Sequence, residues 1–112
     1  MPEYIRVLWK HDSPDEPVEM HYEVREDRAV LRMVECFADG RARADTIEWQ
    51  HARDPGYVGV SLVDGDMLTA AQIRQETGEF TPGEFEAFES NHDEFEAAFE
   101  GAVPIGTNGE TQ

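Results

Sequence analysis

The loop HDSPDEP carries the densest group of side chains that could do chemistry. His11, Asp12, Asp15 and Glu16 lie close together, and His21 follows on the next predicted strand. A histidine beside carboxylates can bind a divalent metal or transfer a proton as general base and acid. The alternative is a structural turn, in which short polar side chains beside prolines hydrogen-bond to loop amides. No regular ligand spacing such as His-x-x-x-His is present. We therefore favour the turn, keep His11, Asp12 and His21 as catalytic candidates, and expect no metal and no cofactor.

The second group of candidates is a set of arginines around the predicted Asp39-Gly40 hairpin turn. Four of them flank this turn, namely Arg28, Arg32, Arg41 and Arg43. Arg32 and Arg43 lie on the strands that the turn joins, so they could meet and bind a carboxylate or a phosphate. The alternative is ion pairing across the sheet with Glu23, Glu35 or Asp45. The excess of acidic residues favours the ion pairs.

The charge of the chain is lopsided. Of the 112 residues, 25 are acidic and 9 are basic, which gives a formal net charge of −16. Residues 75–112 hold ten of the acids and none of the bases. Such a surface repels nucleic acid and anionic membranes and favours a cationic partner. The alternative is a role in solubility or the background of a saline or high-GC host, and eight arginines against one lysine fit a high-GC host.

Three observations predict a cytoplasmic protein. No apolar run approaches the roughly 20 residues of a membrane span. The N-terminal MPEYIRV lacks the basic-then-apolar pattern of a signal peptide. A single cysteine, Cys36, excludes an internal disulfide framework.

Alternation of apolar and polar residues predicts up to five strands, over Tyr4–Lys10, Val18–Arg25, Ala29–Phe37, Arg41–Trp49 and Tyr57–Val63. The first strand has bulky residues on both faces and is expected to be central. The second is expected to have one buried face, which includes Met20, and one solvated face, which includes His21. Gly59 interrupts the fifth.

Two helices are predicted after the strands. The short one covers Thr69–Glu76, with Thr69 as N-cap, Gln72 completing a capping box and Gly78 just past its end. The long one covers Thr81–Glu100 as a single amphipathic helix. Its narrow stripe consists of Phe85, Phe88, His92, Phe95 and Phe99. The four phenylalanines are expected to pack on the sheet face that carries Met20. The anionic side of the helix includes Glu86, Asp93 and Glu100.

These elements predict an α+β fold. We expect an antiparallel sheet of four to five strands, with one short and one long C-terminal helix packed on one face. Residues 1–100 are expected to form a single domain. Residues 101–112 contain Pro104, several glycines and little bulk, and are expected to form a flexible tail.

The chain resembles a widespread family of small uncharacterised bacterial proteins. These open with Y-I-x-V-x-W-x-H and then D-E-P-V, matched here by YIRVLWKH and by DEPV at 15–18. They carry an arginine-rich strand ending in F-x-D-G, matched by residues 37–40, and an acidic helix entered through an S/T-x-x-E-F turn, matched by residues 81–85. The resemblance implies an immunity-like role and carries over no catalytic residue.

Two functional hypotheses follow. The first is a small acidic module that binds and neutralises a basic protein such as a nuclease toxin, using the anionic residues Glu86, Asp93 and Glu100. Neither nucleic acid nor a membrane is expected as a partner, and the sequence leaves the oligomeric state open. The second is a small-molecule-binding protein or small enzyme, for example in a biosynthetic pathway. Its cleft would lie near the His11–Glu16 loop, with Trp9, Asp15, Glu16, Arg32 and Arg43 as binding candidates.

Overall fold

The computed structural model describes residues 2–105 and contains six strands and three helices in that part of the chain. The strands are β1 (Glu3–Trp9), β2 (Glu19–Val24), β3 (Val30–Cys36), β4 (Ala42–Thr46), β5 (Phe85–Glu89) and β6 (Val103–Pro104). The helices are α1 (Ile47–Arg53), α2 (Ala70–Phe80) and α3 (His92–Glu100). The fold is therefore α+β, as the sequence predicts, but the sheet has six strands rather than the predicted four to five.

The strands form one mixed sheet in the order β5-β1-β2-β3-β4-β6. All neighbouring pairs are antiparallel except β4 and β6, which are parallel. β1 is central, between β2 and β5, as its bulk on both faces predicts. The antiparallel connections bring the β1–β2 loop and the β3–β4 turn to the same end of the sheet.

Each face of the sheet is covered by a different helix. The Met20 face, which carries Ile5, Val7, Met20 and Val24, packs against α2 and the loop before it through Ala70, Ile73, Leu62 and Met67. The Tyr4 face, which carries Tyr4, Val34 and Ala44, packs against α3 through Phe95 and Phe99. The prediction that both helices share one face is wrong. The apolar surface of β1 and β3 on both faces requires a cover on each side.

The predicted helix over residues 81–100 is wrong, because this segment contains a strand and a shorter helix. Thr81 ends α2, and Gly83 then adopts a positive φ of 82°, which turns the chain into β5. Asn91 caps α3, and its side chain accepts a hydrogen bond from the Glu94 amide. The sequence FEAFE alternates with a period of two as well as fitting a helix, so pairing with β1 decides its conformation.

The four phenylalanines of the predicted stripe consequently separate. Phe85 lies on the Met20 face with Trp9. Phe88 is 41 % exposed, whereas Phe95 is 1 % exposed on the Tyr4 face beside Phe99. The prediction that all four pack on the Met20 face is therefore wrong.

Two further predicted strands end early or do not form. The fourth strand stops at Thr46, whose hydroxyl accepts a hydrogen bond from the Trp49 amide and so begins α1. Residues 57–63 form a loop with bends rather than a strand. The Leu62 amide donates to the Val30 carbonyl at 3.0 Å, and the Val30 amide donates to the Ser61 hydroxyl at 2.8 Å, so this loop is attached to β3 without extending the ladder.

The capping box of α2 is confirmed, because the Thr69 and Gln72 side chains each accept from the other's backbone amide. The helix continues to Phe80, so Gly78 lies inside it rather than past its end. The predicted tail begins at Gly101, but Val103 and Pro104 pair with β4. The rest of the predicted tail, residues 106–112, lies outside the described residues. Within residues 2–105, no helix is long and apolar enough to cross a membrane.

Candidate functional site

Two hydrogen bonds of the His11 side chain stabilise the loop that contains it. The Ser13 amide donates to His11 Nδ1 at 3.0 Å, and His11 Nε2 lies 2.8 Å from the Pro17 carbonyl oxygen. Because Nδ1 accepts a hydrogen bond, the proton of the neutral ring lies on Nε2, which donates to Pro17. Both ring nitrogens are therefore occupied within the loop. Neither offers a free lone pair to a metal or a substrate in this conformation.

Trp9 fixes the loop against β5. Its ring stacks on Phe85 at a centroid distance of 5.4 Å and contacts the His11 ring at 4.2 Å. Its indole Nε1 donates to Glu84 Oε2 at 2.9 Å. Trp9 thus packs against the His11 and Phe85 rings, so its ring is used in contacts within the chain. The three acids of the loop, Asp12, Asp15 and Glu16, are exposed.

His21 does not join the loop residues. It pairs in register with Arg6, five residues before His11 along the chain, on the Tyr4 face. It is 4 % exposed, so the prediction of a solvated face is wrong there, because α3 covers this side of the sheet. His21 Nε2 lies 2.7 Å from Glu19 Oε2, which also accepts from Arg6 Nε at 3.1 Å. The structure therefore separates His21 from His11 and Asp12.

His21 is buried and its ring is only partly hydrogen-bonded, whereas its polar neighbours Glu19 and Arg6 are partly exposed. Burial acts to raise the pKa of Glu19, but the hydrogen bonds from Arg6 and His21 outweigh it and hold that pKa below its ordinary value. His21 Nδ1 has no hydrogen-bond partner among the described residues. Burial raises the pKa of the Cys36 thiol, which makes it a poor nucleophile. Over residues 2–105, no three His, Cys, Asp or Glu side chains are grouped so as to hold a metal ion.

Arg32 joins the sheet to α3. Its guanidinium binds both oxygens of Glu23, at 2.7 and 2.8 Å, and also donates to Glu96 of α3. It lies 4.8 Å from the ring centroids of both Phe95 and Phe99. These contacts place Arg32 among the groups that hold α3 on the Tyr4 face.

Arg32 also sets the ionisation of its neighbours. Its hydrogen bonds hold the pKa of Glu23 below the ordinary value of a glutamic acid. The Tyr4 hydroxyl donates to Glu23 Oε2 at 2.9 Å. Burial, together with that carboxylate, raises the pKa of Tyr4 to about 12.

Arg43 lies on the other face of the sheet from Arg32. Arg32 pairs in register with Thr46, and Arg43 is three residues from Thr46 on the same strand. Because side chains alternate along a strand, an odd separation places the two arginines on opposite faces. Arg43 instead pairs with Glu35, with 2.8 Å between Nε and Oε1. The two arginines therefore do not form a shared anion site.

A cavity of about 480 Å³ lies where the β3–β4 turn meets the β1–β2 loop, lined by Asp15, Phe37, Arg41, Ala42, Arg43, Gly101 and Val103. The guanidinium carbons of Arg41 and Arg43 lie 4.9 and 5.1 Å from the Phe37 ring centroid. Sequence reasoning singled out Asp15 and Arg43 but missed Phe37 as their common neighbour. The signal was present, because a tight turn at Asp39-Gly40 brings Phe37 next to Arg41.

The anionic residues predicted on one helix occupy two elements. Glu86 is exposed on β5, and Asp93 and Glu100 are exposed in the first and last turns of α3. α2 packs on β5 and covers part of its outer edge, where Arg74 Nη1 donates to the Ala87 carbonyl at 2.8 Å. An added strand would have to displace this cover. The acidic side chains are thus accessible in this region, beside the exposed Phe88.

The fold and these sites describe a small α+β protein with ion-paired faces and an excess of exposed acids. The model of DUF6881, a domain of unknown function, matches residues 3–104. The chain therefore belongs to the DUF6881 family. No curated protein matches the sequence, and no solved structure matches it either.

Proposed function

We propose that this protein is a small acidic cytoplasmic module that binds a basic protein and neutralises it, as an immunity protein neutralises a nuclease toxin. A nuclease binds a polyanion and so presents a basic cleft, which an acidic protein can occupy. The observation that carries the proposal is the distribution of ion pairs over the molecule.

Most arginine side chains form ion pairs with acids of the same chain. Seven of the eight arginines form ion pairs with acids in the described part of the chain: Arg6–Glu19, Arg25–Asp27, Arg28–Glu3, Arg32–Glu23, Arg41–Asp39, Arg43–Glu35 and Arg53–Asp45. Among residues 2–105, most of the remaining acids have no arginine partner, and half of those lie in the C-terminal third. Residues 75–105 contain nine acids, and of the ion pairs to arginine in residues 2–105 only Arg32–Glu96 involves one of them.

This arrangement supports binding to a cation rather than a structural use of the acids. Acids needed for stability would be paired or buried, as Glu23 and Asp45 are. Unpaired acids on one region repel each other and destabilise the folded chain slightly. They attract a basic partner over a distance of about 8 Å at physiological salt, which speeds association.

The experiment is affinity capture from the source cells with three forms of the protein. The first is the wild type. The second reverses charge at the proposed surface through Glu86→Lys, Asp93→Lys and Glu100→Lys. The matched control makes the same charge change elsewhere through Glu48→Lys, Asp64→Lys and Asp66→Lys, which are exposed and have no hydrogen-bonded side-chain partner among the described residues.

We expect wild type and control to retain one basic protein that the surface variant loses. The purified pair should then associate more slowly as salt rises, and the surface variant should lack this dependence. The proposal fails if the surface variant captures the same proteins as the wild type at low salt.

A second candidate function is binding of a small molecule in the cavity beside the His11–Glu16 loop. The observation that favours it is the cavity itself, whose volume of about 480 Å³ falls within the usual range for small-molecule sites. Its wall combines one loop acid, Asp15, with two guanidinium groups and apolar surface. Neither His11 nor Trp9 lines it, so the site is displaced from the position that the sequence predicts.

A further inference from the structure

The cavity between the β1–β2 loop and the β3–β4 turn presents hydrogen-bond donors on a platform formed by Phe37, Arg41 and Arg43. Phe37 is buried, at 8 % exposure, and both Arg41 and Arg43 lie against its ring. Contact with an aromatic ring and an ion pair at Nε each restrict a guanidinium. Arg41 Nε is 2.7 Å from Asp39 Oδ2, and Arg43 Nε is 2.8 Å from Glu35 Oε1. The Arg41 and Arg43 side chains are 65 % and 50 % exposed, and these contacts restrict their motion before any ligand arrives.

Both guanidinium groups keep donors for a ligand. Arg43 uses only Nε within the described chain, so its two terminal nitrogens are unoccupied. Arg41 uses Nε and makes one long contact of 3.4 Å from Nη2 to the Pro14 carbonyl. Terminal guanidinium N–H groups suit a carboxylate or a phosphate. The two intramolecular carboxylates already balance the two arginine charges, so the platform offers donors without a strong net positive field.

Asp15 adds a negatively charged hydrogen-bond acceptor to the same cavity. It is exposed, and its carboxylate has no hydrogen-bond partner among residues 2–105. The contact between Arg41 and Pro14 places the loop that carries Asp15 directly beside the guanidinium platform. With both arginines neutralised locally, Asp15 leaves the cavity with an excess of negative charge. A dianionic phosphate would face this charge, whereas an ammonium group would be attracted by it.

We propose that this cavity binds a small zwitterion of the α-amino-acid class. The ligand carboxylate accepts hydrogen bonds from Arg41 and Arg43, its ammonium group pairs with Asp15, and its side chain lies toward Val103. This inference rests on the second candidate function and names the ligand class for it. Recognition by both charges explains why two arginines that are already paired and one unpaired acid share one cavity.

The test is a nuclear magnetic resonance titration of the full chain with three probes. The first is L-leucine, which carries both charges and an apolar side chain. The second is N-acetyl-L-leucine, which lacks the ammonium group, and the third is isoamylamine, which lacks the carboxylate. We expect leucine to shift the Val103 methyl and Arg43 side-chain resonances saturably. We expect each other probe to bind about tenfold or more weakly, the scale of one lost charge-assisted hydrogen bond.

Three variants locate the site. Arg43→Gln and Asp15→Asn should each weaken leucine binding about tenfold or more. Resonances away from the cavity should keep their positions, which shows that each variant is folded. Arg25→Gln is the matched control, because Arg25 is an exposed, ion-paired arginine that does not line the cavity. It should leave leucine binding unchanged.

The alternatives give different results. If N-acetyl-L-leucine binds as tightly as leucine at these resonances, the zwitterion is wrong and the cavity is a carboxylate site, so the small-molecule function stands. If none of the three probes gives a saturable shift, the ligand class is overturned. Leucine binding that Arg43→Gln and Asp15→Asn leave unchanged would show that the molecule binds elsewhere and would overturn this site.

Discussion

Arg32 donates two hydrogen bonds to Glu23, from Nε to Oε1 at 2.7 Å and from Nη2 to Oε2 at 2.8 Å. The two residues lie opposite each other on β3 and β2, and Glu23 is only 9 % exposed. Nη2 of Arg32 also reaches Glu96, so the pair connects the sheet to α3. A charged pair in this setting stabilises the fold only while both members stay ionised.

Replacing Glu23 tests this pair and its dependence on pH. Glu23→Gln should lower the free energy of unfolding at pH 7 by about 2 kcal/mol, since Glu96 still contacts Arg32. Arg32 lowers the pKa of Glu23 in the folded state, so the folded chain binds that proton less readily than the unfolded chain. The contribution is therefore complete above the unfolded pKa of about 4.3 and disappears as pH falls through the lower folded pKa. Urea unfolding of both proteins across pH checks this, and a difference that stays constant into strong acid would contradict it.

Phe95 and Phe88 lie in the same segment, but Phe95 is buried and Phe88 is exposed, so substitutions at the two positions can be compared. Phe95→Ala should lower the free energy of unfolding by about 3–5 kcal/mol, because the side chain is 1 % exposed in the core of the Tyr4 face. Phe88→Ala should cost less than about 1 kcal/mol, because Phe88 is 41 % exposed. Thermal or urea unfolding measures both. Similar losses in the two variants would argue against the packing of α3 described above.

The first loop can be tested through His11 and Asp12. His11→Ala removes two hydrogen bonds and the contact with Trp9, and should cost about 1–2 kcal/mol of stability. Asp12→Asn should change stability by no more than about 0.5 kcal/mol, because Asp12 is exposed. Unfolding measurements run beside a cellular assay decide the role of the loop. Two variants that are stable but inactive would show that it is a functional site.

The two ends of α3 provide a matched test of the acidic surface. Glu100→Lys should raise stability by on the order of 0.5 kcal/mol, because a cation replaces an anion at the negative end of the helix dipole. Asp93→Lys makes the same charge change in the first turn and should lower the melting temperature. Thermal melts at low and high salt compare the two. If both variants gain stability equally, repulsion over the whole molecule outweighs the helix dipole.

Local patterns were sufficient for the early strands and for the start of α2. The predicted strands over Tyr4–Lys10, Val18–Arg25 and Ala29–Phe37 agree with β1, β2 and β3 to within one residue at each end. The capping box at Thr69 and Gln72 also forms. In these cases the information lies within a few consecutive residues, because side-chain alternation and capping are local properties.

The segment from Thr81 to Glu100 shows where local patterns were insufficient. FEAFE fits either a helix face or an alternating strand, and its conformation depends on the edge that β1 offers. Once Phe85–Glu89 forms a strand, α3 starts at Asn91 and reaches the opposite face from α2. This one choice buried His21 and separated Phe85 from Phe95.

For the candidate sites as well, some features follow from the sequence and others depend on the tertiary structure. The sequence by itself determined the acid excess, the lack of bases after Arg74 and the presence of both arginines and carboxylates around two turns. Only the tertiary structure decided that Arg32 faces α3 while Arg43 joins Arg41, Phe37 and Asp15 at the cavity. The reason is physical. The face of a strand residue and the pairing of distant strands depend on register, which is set by the packing of the whole sheet.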